Sequence, residues 1–176
     1  RRCCGMRHGR EFSRDDLTDD ELHDIRYRKT GYWGSSGAGA ILVAGDTGRV
    51  MLALRSEAVL QPGTWGVIGG AVDACESEVE AAIRECREEI GFAPGVGDFA
   101  PLHRFIDGEF AFQNFAVVVD REFDPTDLGW EVEDAAWFHL DGLPEPMHFG
   151  LRAVLDDVEA MAELERLAGA ARRLRP

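Results

Sequence analysis

Residues 70–92 read GAVDACESEVEAAIRECREEIGF, and they decide both the fold and the chemistry that we expect. This stretch spaces Glu85, Glu88 and Glu89 at i, i+3 and i+4, which places all three on one face of a helix. Carboxylates this close repel one another, and a divalent cation relieves the repulsion. Magnesium takes oxygen ligands and usually shares its sites with water and substrate phosphates. The spacing therefore predicts metal-assisted phosphate chemistry.

The helix that carries these glutamates is delimited at both ends. Ser77 and Glu80 have the S-x-x-E spacing of a capping box, so Ser77 is predicted to be the N-cap. Gly91 is predicted to end the helix. The three glutamates are expected to lie beside the buried stripe rather than on it. The residues predicted to form that stripe are Val79, Ala82, Ile83, Cys86 and Ile90.

An acidic helix face that only contacts solvent is the alternative interpretation, because charge runs are usually solvated. Such a face normally carries Lys or Arg at i+4 positions, and we expect none among Glu85, Glu88 and Glu89. A solvated face also leaves the glycines before the helix unexplained. We therefore favour the metal site.

The stretch resembles the Nudix box, G-x5-E-x7-R-E-U-x-E-E-x-G-U, in which U is a bulky apolar residue. Cys86 at the first U is the one soft departure. Weaker matches extend the resemblance, which is to MutT-like Nudix hydrolases, over roughly residues 38–145. It implies an α/β fold, an α/β/α sandwich around a mixed sheet. The matching residues are Gly70, Glu76, Arg84, Glu85, Glu88, Glu89, Gly91 and Phe92.

The resemblance also implies a set of metal ligands. Nudix enzymes bind metal through the last two glutamates of the box, here Glu88 and Glu89. Glu85 joins them as a ligand or as the base that activates water. The backbone carbonyl just before the box also contacts metal in the family, and this position is Gly69. Mg²⁺ is the expected ion, with Mn²⁺ as the alternative.

Two arginines have expected roles outside the metal set. Arg84 and Glu76 correspond to the pair that orients the loop before the helix in the family. Arg55 ends a predicted strand and is similar to a strand arginine that relatives use near substrate. Its planar fork suits phosphate, and a plain surface arginine is the alternative.

A late acidic loop supplies one more candidate. Nudix members often place a glutamate a few residues before a tryptophan, and here Glu131 precedes Trp137. Glu131 is therefore a candidate general base or further metal ligand. Glu133 and Asp134 compete for this role, and an ordinary acidic loop is the alternative.

The composition excludes several classes of protein. A chain of 176 residues suits one domain with a full hydrophobic core. The net charge of -14 argues against nonspecific binding to nucleic acid or to an anionic membrane. No run of 18 apolar residues is present. The cysteines do not form a disulfide framework, and Cys3, Cys4 and His8 are a poor zinc pattern, so we expect free thiols in a cytoplasmic protein.

The chain divides into an extension and one domain. Residues 1–37 are predicted to form an N-terminal extension with a short helix near residues 19–28, and residues 38–176 the Nudix hydrolase domain with a C-terminal helix. The predicted strands are residues 40–44, 50–55, 65–68, 99–107, 110–119 and 136–140. The stripe of the final helix is predicted to comprise Leu151, Val154, Leu155, Val158, Met161 and Leu164.

The leading functional hypothesis is a Mg²⁺-dependent pyrophosphohydrolase that cleaves a nucleoside diphosphate linked to another group. A (d)NTP, cleaved to (d)NMP and pyrophosphate, is the first choice of substrate, and ADP-ribose or another dinucleotide is the second. A non-catalytic Nudix module that senses nucleotides is the alternative of another class, although such modules typically lose box carboxylates that are all present here. An RNA-decapping enzyme would need a basic groove. The resemblance is also compatible with a homodimer.

Overall fold

The computed structural model describes Tyr27, residues 31–32 and residues 34–173, the last three of these by their backbone alone. Tyr27 is helical, and the remainder of the helix predicted near residues 19–28 lies outside the described residues. The same is true of Cys3, Cys4 and His8. The division at residue 37 stays a prediction, and the first strand begins at Ser36.

The described residues form one mixed sheet of seven strands. Only β1 and β6 pair in parallel among the strand pairs of this part of the chain. The main path through the sheet is β3-β2-β1-β6-β5, with β4 paired to β1 and β7 paired to β2. The strands are β1 (Ser36–Ala44), β2 (Val50–Arg55), β3 (Trp65–Gly66), β4 (Ile68–Ala71), β5 (Phe99–Asp107), β6 (Phe110–Val119) and β7 (Val132–Phe138).

Helices cover both faces of the sheet. Successive residues of a strand point to opposite faces, so Ala40 and Leu42 of β1 contribute to one core while Ile41 and Val43 contribute to the other. The first core includes residues of α1, and the second includes residues of α2 and α3. This arrangement confirms the predicted α/β/α sandwich. The helices are α1 (Glu78–Ile90), α2 (Phe149–Asp156) and α3 (Val158–Arg173), and Val96–Asp98 form a short 3-10 helix.

The strand predicted at residues 65–68 is in fact two strands, interrupted at Val67. The first part, β3, pairs with β2, and the second, β4, pairs with the N-terminal half of β1. Glycines allow β4 to lie this close, because a Cβ on Gly69 would overlap the backbone of β1, and one on Gly39 would lie 2.7 Å from the carbonyl oxygen of Ile68. Since β1 pairs with β2 only farther along, the sheet splits at this point.

The last predicted strand and helix also differ from the structure. Strand β7 begins at Val132 rather than residue 136, because it pairs with the whole of β2. The C-terminal helix is two helices, because Asp157 caps α3: its Oδ1 accepts from the N–H groups of Glu159 and Ala160. Val158 is consequently 82% exposed instead of lying in the buried stripe.

The capping box of α1 is formed as predicted. Ser77 Oγ accepts from the N–H of Glu80 at 3.2 Å, and the Glu80 carboxylate accepts from the N–H of Ser77 at 2.8 Å. Gly91 ends the helix in the left-handed conformation at φ 70°. These two ends fix which residues of α1 face the sheet.

Replacing Ser77 by alanine should destabilise the fold by about 1 kcal/mol, because it removes the cap of α1. For a domain of this size we expect Tm to fall by about 2–4 °C in thermal denaturation followed by circular dichroism. Ser77→Thr keeps a capping hydroxyl and is the control. An unchanged Tm in Ser77→Ala would show that the box contributes nothing to stability.

Candidate active site

Helix α1 buries two of the three glutamates Glu85, Glu88 and Glu89. Glu85 is 8% exposed and Glu89 is 5% exposed, whereas the side chain of Glu88 is 59% exposed. The prediction that the triplet lies beside the buried stripe was therefore wrong for Glu85 and Glu89. Burying a carboxylate is costly unless it gains partners, so the contacts of these two side chains decide what the site can do.

Arg84 pairs with Glu76 in the loop before α1. Its Nε and Nη2 donate to the two carboxylate oxygens of Glu76, both at 3.1 Å, which confirms the expected pairing. Nη2 also donates to the carbonyl oxygen of Ala71 at 2.8 Å. Arg84 thus ties the loop before α1 to the end of β4.

Arg84 also reaches the glutamates themselves. Its Nη1 donates to Glu85 Oε1 at 2.7 Å and to Glu88 Oε2 at 3.2 Å. The expectation that no Lys or Arg lies on this face was therefore wrong. The long side chain of Arg84, four residues before Glu88, lies along the same side of the helix.

Strand β4 supplies the floor beneath the buried carboxylates. The N–H of Gly69 donates to Glu89 Oε2 at 3.2 Å. A Cβ on Gly70 would overlap the carboxylate of Glu85, so a larger residue there would displace that carboxylate from its present position. The two glycines therefore let Glu85 and Glu89 pack against backbone.

A second wall comes from the segment just before β7. The N–H of Gly129 donates to the carbonyl oxygen of Glu89 at 3.1 Å, which holds this segment against the end of α1. The resulting cleft is open to solvent. Four carboxylates contributed by two distant segments therefore share one cleft. Its lining residues are Glu85, Glu88, Glu89, Gly129, Trp130 and Glu131.

Arg55 lies close enough to this cleft to influence its charges. It ends β2 beside the first residue of β7, because Arg55 pairs with Val132. The guanidinium is half-buried, and its Nε donates to the carbonyl oxygen of Leu60 at 2.7 Å. Its positive charge opposes the rise in the pKa of both Glu89 and Glu131. Arg55 thus belongs to the electrostatic environment of the carboxylates.

Burial and mutual repulsion raise the pKa values of three carboxyl groups in the cleft, those of Glu85, Glu89 and Glu131. Burial raises the pKa of Glu85 to about 7, and Glu131 and Glu88 add to this rise while Arg84 opposes it. Burial, together with the charges of Glu85 and Glu131, raises the pKa of Glu89 well above its usual range. Burial also raises the pKa of Glu131. The nearby arginines therefore stabilise the ionised forms of Glu85, Glu89 and Glu131 only in part.

This donor set fits a hard divalent cation. Its carboxylates are oxygen ligands, and their raised pKa values show that further positive charge would stabilise them. Within the described residues, no three His, Cys, Asp or Glu side chains converge tightly enough to enclose an ion as they stand. Arg84 accounts for part of this arrangement, because it holds Glu85 and Glu88 through hydrogen bonds.

The structure separates the competing candidates in the late loop. Glu131 lines the cleft, whereas Glu133 and Asp134 are exposed on β7 and are not among its lining residues. Trp130 and Gly129 also line it, and sequence reasoning missed both. The position of Trp130 directly before Glu131 was the available signal.

Two histidines lie outside the carboxylate cleft. His103 contacts Asp157 Oδ2 through Nδ1 at 2.7 Å. His148 is the N-cap of α2.

No helix in the described part of the chain has the length and apolarity needed to span a membrane.

Several curated proteins are similar to this chain. A nucleoside triphosphate pyrophosphatase/Nudix hydrolase fusion protein of Bifidobacterium longum is 33% identical over 121 residues, which are 64% of this chain and 25% of that protein. The CTP pyrophosphohydrolase of Escherichia coli is 39% identical over 57 residues, 32% of this chain and 42% of that protein. The chain thus spans less than half the length of these relatives.

Solved structures show the same architecture. A MutT NUDIX hydrolase from Burkholderia pseudomallei is 30% identical, with a TM-score of 0.59 over 71% of this chain and 98% of that one. RenU, a Nudix hydrolase from M. smegmatis, has a TM-score of 0.59 over 82% of this chain and 91% of that one. At 22% identity, RenU supports the fold alone.

The NUDIX domain family model matches residues 35–158, which include every strand of the described sheet and the whole carboxylate cleft. The named relatives support a hydrolase domain that acts on pyrophosphate bonds. This match confirms the resemblance that residues 70–92 indicated. The chain belongs to the NUDIX domain family.

Proposed function

We propose that this chain is a divalent-cation-dependent pyrophosphohydrolase that cleaves a nucleoside triphosphate to a nucleoside monophosphate and pyrophosphate. The single observation that carries the proposal is the cleft that Glu85, Glu88, Glu89 and Glu131 line together. Relatives named for nucleoside triphosphates support the choice of substrate, among them the CTP pyrophosphohydrolase and a putative 8-oxo-dGTP diphosphatase of Mycobacterium tuberculosis.

We assign the cation to the carboxylate oxygens of Glu85, Glu88 and Glu89, with the carbonyl oxygen of Gly69 as a further ligand implied by the family. Mg²⁺ suits this set of hard oxygen ligands, and Mn²⁺ is the alternative. When bound, such a cation polarises phosphoryl oxygens and lowers the pKa of a coordinated water molecule. Mg²⁺ also lets substrate phosphates approach carboxylates that would otherwise repel them.

The side chains divide the remaining work. Hydrolysis breaks one P–O bond of the anhydride bridge: water adds its oxygen to one phosphorus, and its proton must be removed. Glu131 lines the cleft from outside the box and is the group we assign to take that proton. Arg55 supplies positive charge near Glu131 and Glu89, and a guanidinium binds phosphate through paired N–H donors. Arg84 and Glu76 hold the loop that precedes the helix.

A dinucleotide substrate is the second candidate. The NAD-capped RNA hydrolase NudC of Pseudomonas aeruginosa is 33% identical over 84 residues, 47% of this chain and 30% of that protein. Its name indicates a substrate in which a diphosphate joins two nucleosides. A cytoplasmic location and a homodimer stay predictions from the sequence.

A panel of nucleotides with MgCl₂ tests the proposed substrate class. We expect CTP or 8-oxo-dGTP to yield pyrophosphate and a monophosphate, resolved by ion-exchange chromatography. Turnover of ADP-ribose or NAD with inert triphosphates would instead establish the second candidate. A chain that turns over none of these compounds would be a binding module.

Glu88→Gln should lower kcat by about 10²- to 10³-fold, because losing one ligand of a cation that contributes several kcal/mol weakens charge stabilisation in the transition state. Glu88 is the most exposed of Glu85, Glu88 and Glu89, so the variant should keep its fold. Glu78→Gln, on the same helix but outside the cleft, is the matched control. Equal rates for Glu88→Gln and the wild type would remove Glu88 from the ligand set.

Glu131→Gln should lower kcat by about 10²- to 10⁴-fold if Glu131 accepts the proton of the attacking water. The neighbouring Glu133→Gln is the control, since Glu133 is exposed on β7 and does not line the cleft. Steady-state rates across a pH series distinguish the two variants. Full activity in Glu131→Gln would assign the base to another group.

The metal-free protein should lose stability as pH rises from about 4.5 through about 7. The pKa of Glu85 is raised to about 7 in the folded chain, so the folded state binds more protons than the unfolded state in this window. The stability that the protonated Glu85 carboxyl contributes is complete below the pKa of the unfolded chain and is lost above the pKa of the folded chain. Thermal denaturation in EDTA across this range measures the slope, which should be smaller in Glu85→Gln.

Added MgCl₂ should raise Tm more at high pH than at low pH, because the cation competes with protons for the same carboxylates. An equal rise at both ends of the range, or the same pH slope in Glu85→Gln as in the wild type, would contradict this account.

A further inference from the structure

Trp130 is 72% exposed at the cleft of the four carboxylates. The other two tryptophans in the described part of the chain pack against protein. Trp65 packs edge-on against Phe138, with the ring centroids 4.9 Å apart. Trp137 donates from Nε1 to the carbonyl oxygen of Phe123 at 2.9 Å. An indole left mostly in water forgoes much of its favourable burial, so its position calls for an explanation.

The backbone around Trp130 is held in place on both sides. The hydroxyl of Ser56 donates to the carbonyl oxygen of Trp130 at 2.9 Å. The N–H of Ser56 donates to the carbonyl oxygen of Glu131, also at 2.9 Å. On the other side, Gly129 packs so closely on α1 that a Cβ there would lie 2.5 Å from the carbonyl oxygen of Glu88. The exposed ring therefore projects from a fixed segment, which lowers the entropic cost of binding to it.

We propose that the indole of Trp130 stacks on the nucleobase of the substrate while the phosphates occupy the carboxylate cleft. This inference rests on the proposed function and deepens it by naming a residue that selects base-bearing phosphates. An exposed aromatic patch can also receive a protein partner, but Trp130 shares its cleft with Glu85, Glu88, Glu89 and Glu131. A ligand that carries both a diphosphate and a flat aromatic ring matches that pairing.

Stacking on an aromatic side chain is tolerant of base identity, because every nucleobase has a π-face, and contributes about 1–3 kcal/mol per base. Trp130 should therefore separate nucleotides from phosphates without a base, and should discriminate little among bases.

Calorimetric titration with α,β-methylene-ATP in MgCl₂ tests the proposal without requiring turnover. Trp130→Ala should weaken binding by about 5- to 150-fold, whereas Trp130→Phe, which keeps a ring, should stay close to the wild type. Methylenediphosphonate has no base, and its affinity should be the same in all variants. Val158→Ala is the matched control, since Val158 is an equally exposed apolar residue on α3.

Fluorescence adds a signature that a purely structural role would not produce. Binding of α,β-methylene-ATP should quench tryptophan emission in the wild type, and this quench should disappear in Trp130→Phe although the affinity is retained. With a hydrolysed nucleotide, Trp130→Ala should raise KM and leave kcat nearly unchanged.

Three results would overturn the proposal: an unchanged affinity of Trp130→Ala for the nucleotide analogue, an equal loss for methylenediphosphonate, or no binding of the analogue by the wild type. If the analogue binds through Trp130 but no nucleotide is hydrolysed, the stacking stands and the proposed enzymatic function fails.

Discussion

The site depends on keeping Glu85 and Glu89 buried in spite of their charge. Removing a carboxylate from water costs several kcal/mol unless partners compensate. Here Arg84 compensates Glu85, and the N–H of Gly69 compensates Glu89. The compensation is incomplete, as the upward shifts of both pKa values show. The unbalanced charge makes the cleft a natural site for a cation, and it links the stability of the fold to the chemistry proposed for it.

The split in the sheet makes room for this arrangement. One half of β1 pairs with β4 and the other with β2. Strand β4 therefore carries its glycines beneath α1, while β2 leads to Arg55 and, through β7, to Glu131. The two walls of the cleft thus adjoin different branches of one sheet, because α1 follows β4 and residues 129–131 precede β7. A rigid sheet positions functional groups more precisely than loops alone could.

If Trp130 stacks on the nucleobase as proposed, substrate selection and phosphate chemistry are assigned to different residues. In the proposed function, the carboxylates and arginines act on features that all phosphoanhydrides share, namely negative oxygens and a bridging oxygen. The aromatic ring of Trp130 would instead contact the nucleobase, which only some of those compounds carry. The neighbouring Glu131 and Trp130 lie on one fixed segment, so a base stacked there would bring its phosphates to a set distance from the carboxylates.

Local spacing in the sequence was sufficient to determine α1, its capping box and its end at Gly91, and the family resemblance indicated the pairing of Arg84 with Glu76. The helix and its ends depend on neighbours within a few positions, and Arg84 and Glu76 are only eight positions apart. The family also followed from residues 70–92. The burial of Glu85 and Glu89, the division of the C-terminal helix at Asp157, and the meeting of Ser56 with Trp130, 74 positions apart, were decided only by the tertiary structure. Strand pairing and desolvation join residues that are distant in the chain, and no local pattern records which of them will meet.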